Sequence, residues 1–176
     1  MEKTRTTKRN TAPEGYTYKR SAGGVDEYVL NSNGLRVLLK EDHFVPVATV
    51  MVTYHVGSRN EALGHTGATH LLEHLMFKGS KKYNKKNKKQ IWNLLQTKGA
   101  RLNATTWLDR TNYFETVLVQ YVETAIAFEA DRMRHAFIKE EDRQLEMTVV
   151  RNEFERGENN PIEAVDRDIW ASAYQA

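Results

Sequence analysis

His70 and His74 stand four residues apart in a run where Leu71, Leu72, Leu75 and Met76 recur at helical spacing. A helix is the conformation that turns this pattern into two faces, an apolar stripe that anchors the segment and a polar one on which both imidazoles point at a common centre. Thr66 is placed to cap such a helix and Gly79 to stop it. Two imidazoles one turn apart make a metal clamp. Glu73, three residues after His70, lies on a neighbouring part of the same face, within reach of a water at that centre. Random placement of these residue types yields on the order of 0.02 His-x-x-Glu-His matches per chain of this composition. The rival reading, three ordinary residues on a helix surface, is the weaker one once the anchoring leucines are considered.

The chain has no cysteine, which excludes disulfides and thiolate metal sites and leaves imidazole and carboxylate as the ligands. A catalytic zinc takes three protein ligands and keeps one position open, so a third ligand must come from elsewhere. Glu146 and Glu153 lie two turns apart on a later predicted helix and share a face. By this argument either reaches the metal, and each taken alone is an ordinary solvated carboxylate.

Along the chain, residues 1–23 mix Lys, Arg, Thr and Pro without apolar period, and Gly23-Gly24 ends them. The expectation is a flexible lead-in followed by one domain over 24–176. Glu27–Leu30 and Leu35–Lys40 read as a hairpin turning at Asn33-Gly34, and Val47–Val56, rich in β-branched residues, as a strand. Helices are predicted from Thr66 to Gly79, over Lys88–Lys98, over Val122–His135, over Glu140–Glu155 and after Pro161, with a strand pair Arg101–Trp107 and Asn112–Val119 between them. Adjacent hairpins mixed with helix pairs indicate an α+β fold, a mainly antiparallel sheet packed with helices.

The length of 176 residues leaves little room for a second domain. No apolar run is long enough to span a membrane: Val45–Val52, interrupted by Pro46 and Thr49, is far too short. The N-terminus is basic but lacks the apolar stretch of a secretory signal, so the expectation is a cytoplasmic protein, or a periplasmic one whose signal has been removed. Much of the net charge of +3 comes from the lysines of 81–89. Without Arg or flanking aromatic platforms this run reads as a solvated loop and helix start, with no nucleic-acid partner.

Taken together, Gly57-Ser58-Arg59-Asn60-Glu61 and Gly67-Ala68-Thr69-His70-Leu71-Leu72-Glu73-His74-Leu75-Met76-Phe77-Lys78-Gly79 resemble the signature of the pitrilysin family of zinc peptidases. Asn103-Ala104-Thr105 with Asp109-Arg110-Thr111-Asn112-Tyr113 is similar to that family's substrate-binding strand pair, and Glu146 through Val150-Arg151-Asn152-Glu153 to its helix bearing the third ligand. The resemblance spans roughly residues 27–170. It implies a zinc-dependent endopeptidase domain with one Zn2+ held by His70, His74 and Glu153, Glu73 as general base and Glu146 supporting a ligand. It also implies an extended peptide substrate at Asn103, Ala104 and Thr105. Thr69 departs from the small apolar residue common before the first histidine. The family builds its enzymes from two or more related domains, so a second such domain, from the same longer chain or another subunit, is the expected partner. On this view the catalytic domain stops short at its C-terminal end. The alternative within the family is a non-catalytic scaffold or assembly subunit.

Overall fold

Two antiparallel three-stranded sheets organise the chain, one on either side of Pro46. The computed structural model describes residues 12–173. Backbone contacts divide the chain into two units, one ending at Pro46 and the other beginning at Val47. The first three strands satisfy one another's hydrogen bonds in a sheet of their own, whereas the sequence reading has one domain over 24–176.

That first sheet has the order β1 (Tyr16–Ala22), β2 (Val25–Leu30), β3 (Arg36–Lys40). The expected flexible lead-in over 1–23 is wrong for its last part. Residues 1–11 lie outside the described residues, but Tyr16–Ala22 is a strand whose Tyr16 and Tyr18 alternate with polar neighbours. Gly23 and Gly24, with φ of 58° and 77°, form a two-residue turn between the paired Ala22 and Val25. Such a turn needs positive φ at both positions, which glycine adopts without strain. The glycines therefore close a hairpin. The β2–β3 hairpin follows the sequence reading, with Gly34 at φ 76°.

In the second unit, β4 (Val47–Tyr54), β5 (Arg101–Thr106) and β6 (Thr111–Leu118) form a sheet of order β4-β6-β5. Thr111, Tyr113, Glu115 and Val117 of β6 are buried at every second residue, the period that turns alternate side chains to one face. Against that face lie helices α1 (Ala68–Leu75), α2 (Ile91–Gln96) and α3 (Val122–His135). The core joins Ile91 and Leu95 to Ala100, Leu102, Val117, Ala125 and Phe128. Helix α4 (Glu140–Glu158) packs on α1, and α5 (Pro161–Ala173) on α4. The mixed helix and antiparallel sheet architecture is the one expected.

Several helix boundaries differ from expectation: α1 runs from Ala68 to Leu75 instead of from Thr66 to Gly79, and α2 ends at Gln96, short of Lys98. α2 starts at Ile91 and not near Lys88, because Lys88 has φ 53° and the preceding residues are held in a loop. In that loop the buried Asn84 donates to the carbonyls of Ser80 and Lys81 (2.9 and 3.0 Å) and accepts from Asn87 N–H (2.9 Å). The lysines around it are exposed, as the solvated-loop reading has them. α4 continues through Gly157 to Glu158, one turn's reach past the expected stop.

Candidate metal centre

The segment before α1 determines how its histidines are presented. Gly57 comes so close to the strand hairpin that a Cβ there would collide with the carbonyl oxygens of Trp107 and Leu108. Those carbonyls accept from Ser58 N–H (3.0 Å) and Arg59 N–H (2.9 Å), which docks the turn Ser58–Asn60 on the end of β5. The next residue, Glu61, reaches forward to α1. Thr66 does not cap that helix as expected; Gly67 occupies the N-cap and has no side chain to offer. Glu61 takes over the role, its Oε2 accepting from Gly67 N–H and its Oε1 from Thr69 N–H, both at 2.8 Å, and from the Thr69 hydroxyl. A carboxylate there meets otherwise unpaired N–H groups and the positive end of the helix dipole. Burial pushes the Glu61 carboxyl up, but the bonds from Thr69 and Gly67 outweigh it and hold the group below 4.5.

Helix α1 then carries His70, Glu73 and His74, and α4 crosses it with Glu146 and Glu153. His70 Nε2 and His74 Nε2 are 3.3 Å apart, and Glu153 Oε2 lies 3.6 Å from the first and 3.5 Å from the second. Ligand arms of about 2.0–2.2 Å directed to the corners of a tetrahedron put neighbouring donor atoms roughly 3.4 Å apart. The three donors therefore fit one zinc-sized ion. Among the described residues this is the one group of three or more His, Asp or Glu side chains that meets such a spacing. A cleft of about 660 Å³ opens beside it, lined by His70, Glu153, Met147, Val150 and Phe154.

Glu146, the other carboxylate of the pair, faces away from that point. Its Oε2 is 2.9 Å from His74 Nδ1, and its Oε1 pairs with Lys78. A carboxylate on Nδ1 favours the tautomer with its proton there and leaves Nε2 with a free lone pair. Burial raises the Glu146 carboxyl, yet the Lys78 and His74 bonds prevail and lower it below 4.5. Lys78 has no role in the sequence reading, although it lies in the quoted motif.

Glu73 points to the other side, toward β5, where the Thr106 hydroxyl donates to its Oε2. β5 is an outer strand of its sheet, paired on one side with β6 through Asn103 and Phe114, Ala104 and Tyr113, and Thr105 and Asn112. The side chains of Asn103 and Thr105 are exposed, and that of Ala104 is buried. The residues singled out by sequence thus lie on α1, α4 and β5, and the structure adds Glu61 at the start of α1, Lys78 past its end and Thr106 at the end of β5.

A family model described as insulinase, peptidase family M16, matches residues 36–176. The chain belongs to this family. Among its M16 relatives, the probable mitochondrial-processing peptidase subunit beta of Schizosaccharomyces pombe is 34% identical over 143 residues, 81% of this chain and 31% of the relative. An uncharacterized zinc protease of Streptomyces coelicolor is 34% identical over 138 residues, 78% of this chain and 29% of the relative. A protease from Helicobacter pylori superposes over 80% of this chain and 33% of its own, with TM-score 0.69 and 33% identity. Pitrilysin shares the fold at TM-score 0.69 and 24% identity, with 80% of this chain and 16% of its own covered. The chain spans about a third or less of the length of these relatives. The family resemblance read from the motifs holds.

Proposed function

We propose that this chain is the zinc-binding part of an M16 endopeptidase, acting on extended peptides or small unfolded proteins. The observation that carries the reading is the triangle of His70 Nε2, His74 Nε2 and Glu153 Oε2 with sides of 3.3, 3.5 and 3.6 Å. These three residues would hold one zinc ion, and Glu146 would orient His74. When bound, zinc supplies a Lewis acid that acidifies water and polarises a carbonyl. Glu73 takes the proton of the attacking water and passes it to the amine that leaves when the peptide bond breaks. Asn103, Ala104 and Thr105 lie on the outer strand β5, whose backbone can pair with an extended peptide with little regard to its sequence. A second related domain or subunit completes the chamber around that peptide.

The test is Glu73→Gln in a form that contains the partner domain, assayed on an unstructured peptide with zinc content measured in parallel. The expected result is full zinc content with cleavage reduced by at least about 100-fold. Cleavage that persists with zinc in place would remove Glu73 from the role of general base.

A further inference from the structure

We propose that Thr106 is a positioning residue for Glu73, holding one carboxylate oxygen so that the other is the one that accepts the proton. The inference rests on the reading of Glu73 as general base and goes beyond it to the group that aims it. Among the described residues, Thr106 is the one hydrogen-bond partner of Glu73, and its hydroxyl engages Oε2 alone. Oε1 has no hydrogen-bond partner among the described residues, which leaves it available to a water. A glutamate on a helix surface has three rotatable bonds, and a single charge-assisted bond from a fixed donor removes most of that freedom.

The donor is fixed for reasons of strand geometry. Thr106 is the last residue of β5 and pairs with Thr111 of β6, whose hydroxyl donates to the carbonyl of Val56 (2.9 Å). One residue on, Trp107 N–H donates to the carbonyl of Arg110 (2.8 Å) and closes the turn. Being β-branched, Thr106 has a restricted χ1, so the direction of its hydroxyl follows from the strand. Thr106 also lies two residues after Ala104 on the strand proposed to receive the peptide. The same strand thus registers both the substrate and the base.

The experiment compares Thr106→Val, which keeps the shape and removes the hydroxyl, with Thr106→Ser, which keeps the hydroxyl. Glu73→Gln is measured alongside. Kinetics use the unstructured peptide, and zinc content and thermal midpoint are followed for each variant. Thr106→Val is expected to lower kcat by about 10- to 100-fold, with KM, zinc content and midpoint near those of the parent, and Thr106→Ser to recover most of the rate. If Thr106→Val retains full kcat while Glu73→Gln is inactive, the proposal for Thr106 falls and the general-base reading stands. If Glu73→Gln remains active, the general-base reading falls as well.

A second readout requires no turnover. In the metal-free chain an exchange-protected Thr106 hydroxyl proton, correlated by NMR across the hydrogen bond to the Glu73 side-chain carboxyl carbon, is expected and should vanish in Thr106→Val. Its absence from the parent chain overturns the proposal whether or not any form cleaves peptide.

Discussion

Among the described residues of the second unit, two clusters of three ionisable side chains are built on opposite principles. In one, Arg132 of α3 donates to Glu129 from Nε (2.8 Å) and Nη2, and Nη2 also lies 3.3 Å from Glu115 of β6. The guanidinium packs over the rings of Tyr113, Phe128 and Phe77, at 4.1, 4.6 and 5.1 Å from their centroids. The side chains of Arg132 and Glu115 have no exposed surface. In the other, His70, His74 and Glu153 present three lone-pair donors to one point, and the side chains of His70 and Glu153 are 40% and 43% exposed. The first cluster holds its own cation. The second assembles acceptors around a place where a cation would go, and leaves a way in.

A structural charge cluster and a candidate metal site can thus be told apart without reference to a family. A buried set must neutralise itself, because an unpaired charge in the interior is costly. Burial first, and then the adjacent Glu129, pushes the Glu115 carboxyl far above the ordinary carboxylate range. Glu115 therefore keeps its proton, and the cluster balances one Glu129 against one Arg132.

Breaking the buried cluster should have the largest effect on stability. Arg132→Met leaves Glu129 without its cation and is expected to cost about 3–5 kcal/mol in denaturant unfolding, with the affinity of any remaining folded chain for zinc unchanged. A loss below about 1 kcal/mol would mean the pair is not the closed unit described here. Breaking the open cluster should do the reverse. Glu153→Gln is expected to weaken zinc binding by more than about 100-fold, and Glu146→Gln by roughly 10- to 100-fold, with little change in the metal-free melting temperature. Equal or inverted ranking in a chelator competition would assign the third ligand to the wrong carboxylate.

A smaller effect tests the protonated state of Glu115. Its folded-state pKa is raised, so the stability it contributes is complete below the ordinary value of 4.5 and is lost as pH rises toward the folded value. Each proton so linked contributes a fall of at most about 1.4 kcal/mol per pH unit. Glu115→Gln cannot ionise and should flatten the decline of stability between pH 6 and 8; an unchanged slope would assign the decline to other groups. The smallest effect belongs to the clamp at the start of α1. Glu61→Gln and Thr69→Ala should each cost about 0.5–2 kcal/mol and speed amide exchange at Gly67 and Thr69, and the double variant should cost less than the sum because the two share one hydrogen bond.

Some of this was legible in the sequence and some was not, for reasons that can be named. His70, Glu73 and His74 were readable because helical periodicity is local: three residues within one turn have their geometry prescribed by the backbone. Glu146 and Glu153 were readable as a pair on one face, but only the family resemblance chose between them. In the structure, their positions along α4 put Glu153 opposite both imidazoles and Glu146 behind His74. β1 was missed because Lys and Arg in Tyr16–Ala22 masked a short alternation, and because Gly23-Gly24 was taken for the end of a loose segment. Glu61 stood inside a quoted motif without a role, since its partners are six and eight residues ahead across a loop whose path the sequence does not specify.

By itself the sequence determined that α1 forms, which of its residues share a face and, through the ligand types, that a metal site must be built from nitrogen and oxygen. Those are consequences of bonding within one turn and of composition. The packing of distant segments brings one carboxylate from α4 to that face, sets a β5 hydroxyl against Glu73, and joins Glu115, Glu129 and Arg132 in the interior. Those depend on how helices cross and where strands end, and no local periodicity encodes a distance between segments 33 or 72 residues apart.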